Sequence, residues 1–137
     1  MSHEAIVEEG YDLSATHAWL SAEAYWCKGI PLETLARALR GSICVSARVD
    51  GRQVGFARVV TDRATFAYLA DVYVLAGHRG RGLASRLVGA LRDHPELQGL
   101  RRWMLATRDA HELYRKLGWS DSPSGRLMEI VLPRPYG

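Results

Sequence analysis

A chain of 137 residues holds one domain, large enough to bury about two-thirds of its unfolded surface in a single core. Its 47% hydrophobic and 24% charged residues are the balance of a globular protein and exclude a disordered or fibrous chain. The net charge of +3 comes without a block of like charges or a basic run interleaved with aromatics, which argues against a nucleic-acid partner. No apolar stretch approaches the ~20 residues of a membrane-crossing helix.

Met1 to Glu4 is polar and no long apolar run follows, so no signal peptide is expected. Glu4 to Glu9 reads as a short first strand, and Leu13 to Trp26 as a helix capped by Asp12 or Ser14. Pro31 opens a second helix that runs to Arg40. Ile43–Val49 and Gln53–Thr61 flank Asp50-Gly51, the strongest short hairpin signal. Tyr68 to Leu75 follows as a buried central strand, and Leu83, Leu87, Val88 and Leu91 mark a helix from Gly82 to about Asp93. Trp103 to Thr107 is the next strand; reached through a helix, it lies parallel to the central one with a right-handed crossover. Asp109 is expected to cap a short helix that ends at Leu117-Gly118. Arg126 to Leu132 reads as a last strand, and 133–137 as a tail. These elements make a single α+β domain over 1–137 with a mixed, mostly antiparallel sheet.

Cys27 and Cys44 fit no metal or redox spacing, and the five histidines show no ligand pattern. No metal is expected, and the cysteines read as reduced core residues of a cytoplasmic protein.

The chemistry concentrates where the central strand meets its helix, at Val74 to Ser85. Gly80 and Gly82 leave the turn free of Cβ atoms, so backbone N–H groups can surround a bound group. The helix N-terminus adds unpaired donors and a positive dipole end, and Arg79, Arg81 and Arg86 add charge. Together they form an anion cradle suited to a phosphate or diphosphate. A P-loop needs a lysine that does not follow Gly82. A dinucleotide turn needs a third glycine where Ser85 stands. The remaining pattern, [Gln/Arg]-x-x-Gly-x-[Gly/Ala], is met by Arg79, Gly82 and Ala84.

That pattern resembles the pyrophosphate-binding motif of the GNAT superfamily of N-acetyltransferases. Val74 stands five residues before Arg79, where the superfamily usually carries a strand valine. Ala110, Leu113, Tyr114, Lys116, Gly118 and Trp119 resemble its second signature, A-x-x-L-Y-x-[KR]-x-G-[FW]. The resemblance covers roughly residues 42 to 120. It implies a GNAT-like fold in which the central strand and the next parallel strand splay apart, with acetyl-CoA lying in the gap. Val72 and Val74 would offer main-chain groups to the pantetheine arm, and Arg79, Gly80, Arg81, Gly82, Leu83, Ala84 and Ser85 would hold the diphosphate. Thr107 stands where the superfamily often has a pantetheine-contacting asparagine, and Ala76 replaces a frequent proline.

The resemblance also implies transfer of an acetyl group to a primary amine of a small molecule, directly within a ternary complex. Tyr114 matches the tyrosine that serves the departing sulfur. Asp71, the acid inside the apolar strand, has a desolvation cost unless partnered. It is a candidate base, a site for a cationic substrate, or the partner of an arginine. Asp109 and His111 are its rivals. Tyr25, Trp26, Phe56, Arg58, Phe66, Tyr68, Trp103 and Arg108 are candidates for the acceptor cleft. Acetylation of a protein N-terminus or lysine, and a non-catalytic acyl-CoA sensor, are the alternatives. A homodimer is compatible with such a fold, although no interface is readable.

Overall fold

The computed structural model describes residues 4–137. Five strands form one sheet in the order β1 (Ile6–Glu9), β2 (Ser42–Val49), β3 (Arg52–Thr61), β4 (Phe66–Val74) and β5 (Arg102–Leu105). The first four run antiparallel to their neighbours, whereas β4 and β5 are parallel. This is the expected α+β domain with a mixed, mostly antiparallel sheet.

Helices cover both faces. α1 (Leu13–Glu23) and α2 (Leu32–Arg40) lie on one; α3 (Leu83–Arg92) and α4 (His111–Lys116) serve the other. Asp12 caps α1, its side chain accepting from the Ala15 N–H at 3.0 Å. Pro31 occupies the N-cap of α2, whose Leu35 and Leu39 are buried one turn apart. Glu33 in its first turn and Arg37 and Arg40 in its last complement the helix dipole. Leu83, Leu87, Val88 and Leu91 bury one stripe of α3 against β2, β3 and β4. Each of these side chains contributes roughly 1.5–3 kcal/mol. Gly55 lets that helix approach: a Cβ there would meet Leu87 Cδ1 at 3.1 Å and the Tyr73 carbonyl oxygen at 3.3 Å.

Two predicted features differ. The first helix ends at Glu23 rather than Trp26, because the Ala24 backbone is extended and residues 25–29 form turns. Residues 126–132 are not a strand; they run exposed and unpaired, since no neighbouring strand among the described residues receives them. The tail is not free either, as Tyr136 packs against the α1–α2 cluster.

Candidate active site

Strand pairing fixes the geometry of the site. β4 and β5 pair from Phe66↔Arg102 to Leu69↔Leu105, and there β5 ends. β4 continues to Val74, so its residues beyond Leu69 have no strand partner on that side. The splay expected between the parallel strands therefore opens at Leu69.

A β-bulge sits at the same point. Arg58 pairs with Asp71 and Val59 with Leu69, which leaves Ala70 as an extra residue on β4. Ala67 and Leu69 pack into the α3-side core before the bulge. Beyond it, Val72 and Val74 belong to that side, whereas Tyr73 packs with the α1–α2 cluster. The bulge turns Asp71 toward α1 and α2, alongside Tyr68.

On one side of the splay lies a groove of about 610 Å³, lined by Val72, Tyr73, Val74, Arg79, Gly80, Gly82–Ser85, Leu113 and Tyr114. Gly82 is the N-cap of α3 with φ +75°, and no side chain caps the helix. Its first-turn N–H groups thus lack a side-chain acceptor, as an anion site requires. A Cβ on Gly80 or Gly82 would meet no protein atom within 4 Å, so both face open space. The Arg79 Nε donates to the Val74 carbonyl at 2.9 Å, which ties the guanidinium across the turn. These residues fit a diphosphate and an extended arm laid beside β4.

Two of the predicted cofactor residues, Arg81 and Thr107, border the α3 groove without lining it. Arg81 lines an adjoining groove near β1 that shares His78 and Leu83 with the α3 groove, and Arg86 donates to the Ala5 carbonyl. Thr107 lines the cleft on the other side of the splay, with Val72 and Tyr114, and its hydroxyl accepts the Ala110 N–H at 3.0 Å. That bond lies one residue before α4, and no side chain caps the helix, so the cap expected of Asp109 is not made. Trp19, stacked on Tyr73 with centroids 4.5 Å apart, lines the α3 groove and carries no motif that signals it.

Opposite lies a cleft of about 580 Å³ lined by Tyr25, Trp26, Arg58, Tyr68, Asp71 and Tyr136, among others. Asp71 is only 4% exposed, and both its oxygens are engaged. Oδ2 accepts from Arg58 Nε and Oδ1 from Trp26 Nε1, each at 2.6 Å. Arg58 also donates to the Ser42 hydroxyl at 3.1 Å. A buried carboxylate is stable only when paired and hydrogen-bonded in this way. Arg108 stacks on the Tyr25 ring, 3.6 Å from its centroid, without itself lining this cleft. Of the other acceptor candidates, Phe56 is fully buried core, Trp103 lines a groove along β5, and Phe66 lines none of these grooves.

The groove and the cleft share Val72, Asp109, Ala110 and Tyr114. Tyr114 is the meeting point with an ionisable hydroxyl held by the core, and its ring packs on Trp119 at 5.9 Å. Burial alone pushes the Tyr114 phenol up, with no charge or hydrogen bond contributing. It therefore keeps its proton at neutral pH. His111 is exposed and lines the β5 groove with Tyr114 rather than the groove or the cleft that meet here. Burial also raises the Cys27 thiol to about 11 and the Cys44 thiol to about 12, so neither is a ready nucleophile. Among the described residues no group of histidines, cysteines and acids is placed to hold a metal, and no helix is long and apolar enough to cross a membrane.

Residues 11–119 match the acetyltransferase (GNAT) family. A Gibberella zeae protein whose name assigns it to the acetyltransferases is 37% identical over 132 residues, covering 80% of this chain and 73% of that protein. A solved structure from Xanthomonas campestris pv. campestris, attributed to the GNAT family, shares 47% identity over 99% of this chain and 98% of its own, with a TM-score of 0.91. Another from Deinococcus radiodurans R1, also ascribed to the acetyltransferases, is 25% identical over 91% and 88% of the two chains, with a TM-score of 0.71. The splayed β4–β5 pair, the uncapped glycine turn before α3 and the family match over most of the chain agree: this chain belongs to the GNAT acetyltransferase family.

Proposed function

We propose that the chain moves an acetyl group from acetyl-CoA to the primary amine of a small molecule, directly and within a ternary complex. The observation that carries this reading is the meeting of an anion-binding groove and a separate aromatic cleft at Tyr114 and Val72. Such a junction brings a donor held on one side to an acceptor held on the other without a covalent enzyme intermediate.

Acetyl-CoA supplies an acyl thioester. The N–H groups of Gly82 to Ser85 and the free guanidinium nitrogens of Arg79 hold its diphosphate, and Val72 and Val74 pair with its arm as a guest strand would. Tyr114 gives its proton to the departing sulfur as the C–S bond breaks and the N–C bond forms. Asp71 acts through its partners: it holds Arg58 and Trp26 in place and thereby shapes the acceptor cleft. The proton lost by the amine leaves through water. Arg81 flanks the diphosphate turn from the β1 side, and Thr107 lines the cleft beside Val72 and Tyr114.

The test is thiol release from acetyl-CoA over a panel of small amines, amino acids and peptides. Turnover confined to small amines supports the reading. Turnover on peptides alone, or tight acetyl-CoA binding with no turnover, replaces it by a protein acetyltransferase or a sensor respectively.

A further inference from the structure

We infer that the acceptor is a primary amine on a short chain ending in an aromatic ring, with no carboxylate of its own, and that Asp109 receives its ammonium group. This substrate class rests on the acetyltransferase reading given above. Among the described residues, three charged ones line the cleft: Arg58, Asp71 and Asp109. The first two neutralise each other, since Asp71 engages Arg58 Nε at 2.6 Å and the Ser42 hydroxyl takes Nη1. Arg108 is stacked on Tyr25 and does not line the cleft. No hydrogen bond or ion pair holds the Asp109 carboxylate among the described residues. Asp109 is exposed, and it stands where the groove and the cleft meet, alongside Tyr114. The uncompensated charge of the cleft is therefore a single negative one at its reacting end.

The rest of the cleft suits an apolar body. Tyr25, Trp26, Tyr68 and Tyr136 bring four aromatic rings to its wall. Tyr25 and Trp26 meet edge to face with centroids 5.0 Å apart, and the Asp71 carboxylate pins the Trp26 indole N–H. The wall is thus fixed before a ligand arrives, yet these two rings remain 53% and 42% exposed. Exposed aromatic surface beside a cleft is stabilised when another ring covers it. An alkyl amine is protonated at neutral pH, so it approaches as a cation that Asp109 attracts. A carboxylate on the same molecule would meet Asp109 with no free cation lining the cleft to offset the repulsion or the lost hydration. The cleft therefore selects for an amine and against the corresponding amino acid.

Steady-state thiol release from acetyl-CoA, with phenethylamine, phenylalanine, phenylalaninamide and ethanolamine as acceptors, tests this. Phenethylamine should exceed phenylalanine and ethanolamine by about tenfold or more in kcat/KM. Phenylalaninamide keeps the bulk of phenylalanine without its negative charge and should regain most of the difference. Asp109→Asn should raise the KM for phenethylamine about tenfold without raising that for acetyl-CoA, and Asp109→Glu should restore part of the loss. Equal or better turnover of phenylalanine or ethanolamine leaves the acetyltransferase standing and overturns the substrate class. Phenylalaninamide as slow as phenylalanine, or an Asp109→Asn enzyme with the wild-type KM for phenethylamine, overturns it equally. No turnover on these or any other small amines overturns the acetyltransferase reading itself, and the substrate class with it.

Discussion

Arg58 and Asp71 face each other across β3 and β4 as register partners, with Nε and Oδ2 2.6 Å apart and side chains 16% and 4% exposed. Removing one member leaves the other charge buried and unpaired. Arg58→Met should therefore cost about 3–5 kcal/mol in urea unfolding, and the Arg58→Met/Asp71→Leu pair should recover much of that loss. A cost for Arg58→Met below about 1 kcal/mol would show that the ion pair is solvated after all. In Asp71→Asn the acceptor KM should rise more than kcat falls, because its carboxylate orients the cleft. A collapse of kcat with KM unchanged would instead make Asp71 the base.

Tyr114→Phe removes the hydroxyl at the junction and little packing. Turnover should drop by about 10²-fold or more, with the KM for acetyl-CoA unchanged. The pH dependence follows from the direction of the shift. Burial raises the phenol above its ordinary value of 10.0, so the protonated form persists below pH 10 and is lost only above it. Steady-state rates should show no loss of activity attributable to this group below pH 10. A fall centred near pH 8 would assign the acid to another residue.

Gly82 holds a left-handed conformation at the N-cap of α3. Gly82→Ala should cost roughly 1–2 kcal/mol of stability from backbone strain. Its methyl would protrude into the proposed diphosphate site, where a tenfold rise in the acetyl-CoA KM corresponds to about 1.4 kcal/mol. An unchanged KM would place the diphosphate elsewhere.

The two thiols give an independent check on burial. At about 11, the Cys27 thiol is only ~0.1% thiolate at pH 8, so disulfide-exchange reagents should label the native protein far more slowly than the unfolded chain. Both folded values lie above the ordinary 9.0, so the linked stability is complete below pH 9. It is lost as pH rises toward about 11 and 12. Rapid labelling of both cysteines in the native state would contradict this.

The parts legible in the sequence are those whose cause is local. Gly80 and Gly82 announce a turn because L side chains avoid the positive φ they adopt. The Asp50-Gly51 hairpin and the leucine stripe of α3 follow from the same kind of short-range rule. Tyr114 was accessible because its neighbours form a recognisable signature. What stayed hidden depends on a partner distant in the chain. Nothing in β4 marks Ala70 as a bulge, since that is a property of its pairing with β3. Residues 126–132 have strand periodicity, yet a strand exists only where an edge receives it. The missing Asp109 cap of α4 is of the same kind: the chain leaving β5 brings the Thr107 hydroxyl to the Ala110 N–H, and no side chain caps the helix itself.

Ala70 acts as a frame shift in a two-beat rhythm. Without it, the alternation that sends Leu69 into the α3 core would send Asp71 there too, burying a carboxylate among aliphatic side chains with Arg58 on the opposite face. One supernumerary residue lets a single strand be written in two registers. The first half speaks to the core and the second to the site. Insertions and deletions in β4 are therefore unequal to substitutions: exchanging the Ala70 side chain leaves the frame intact, whereas deleting it misreads every residue to Val74.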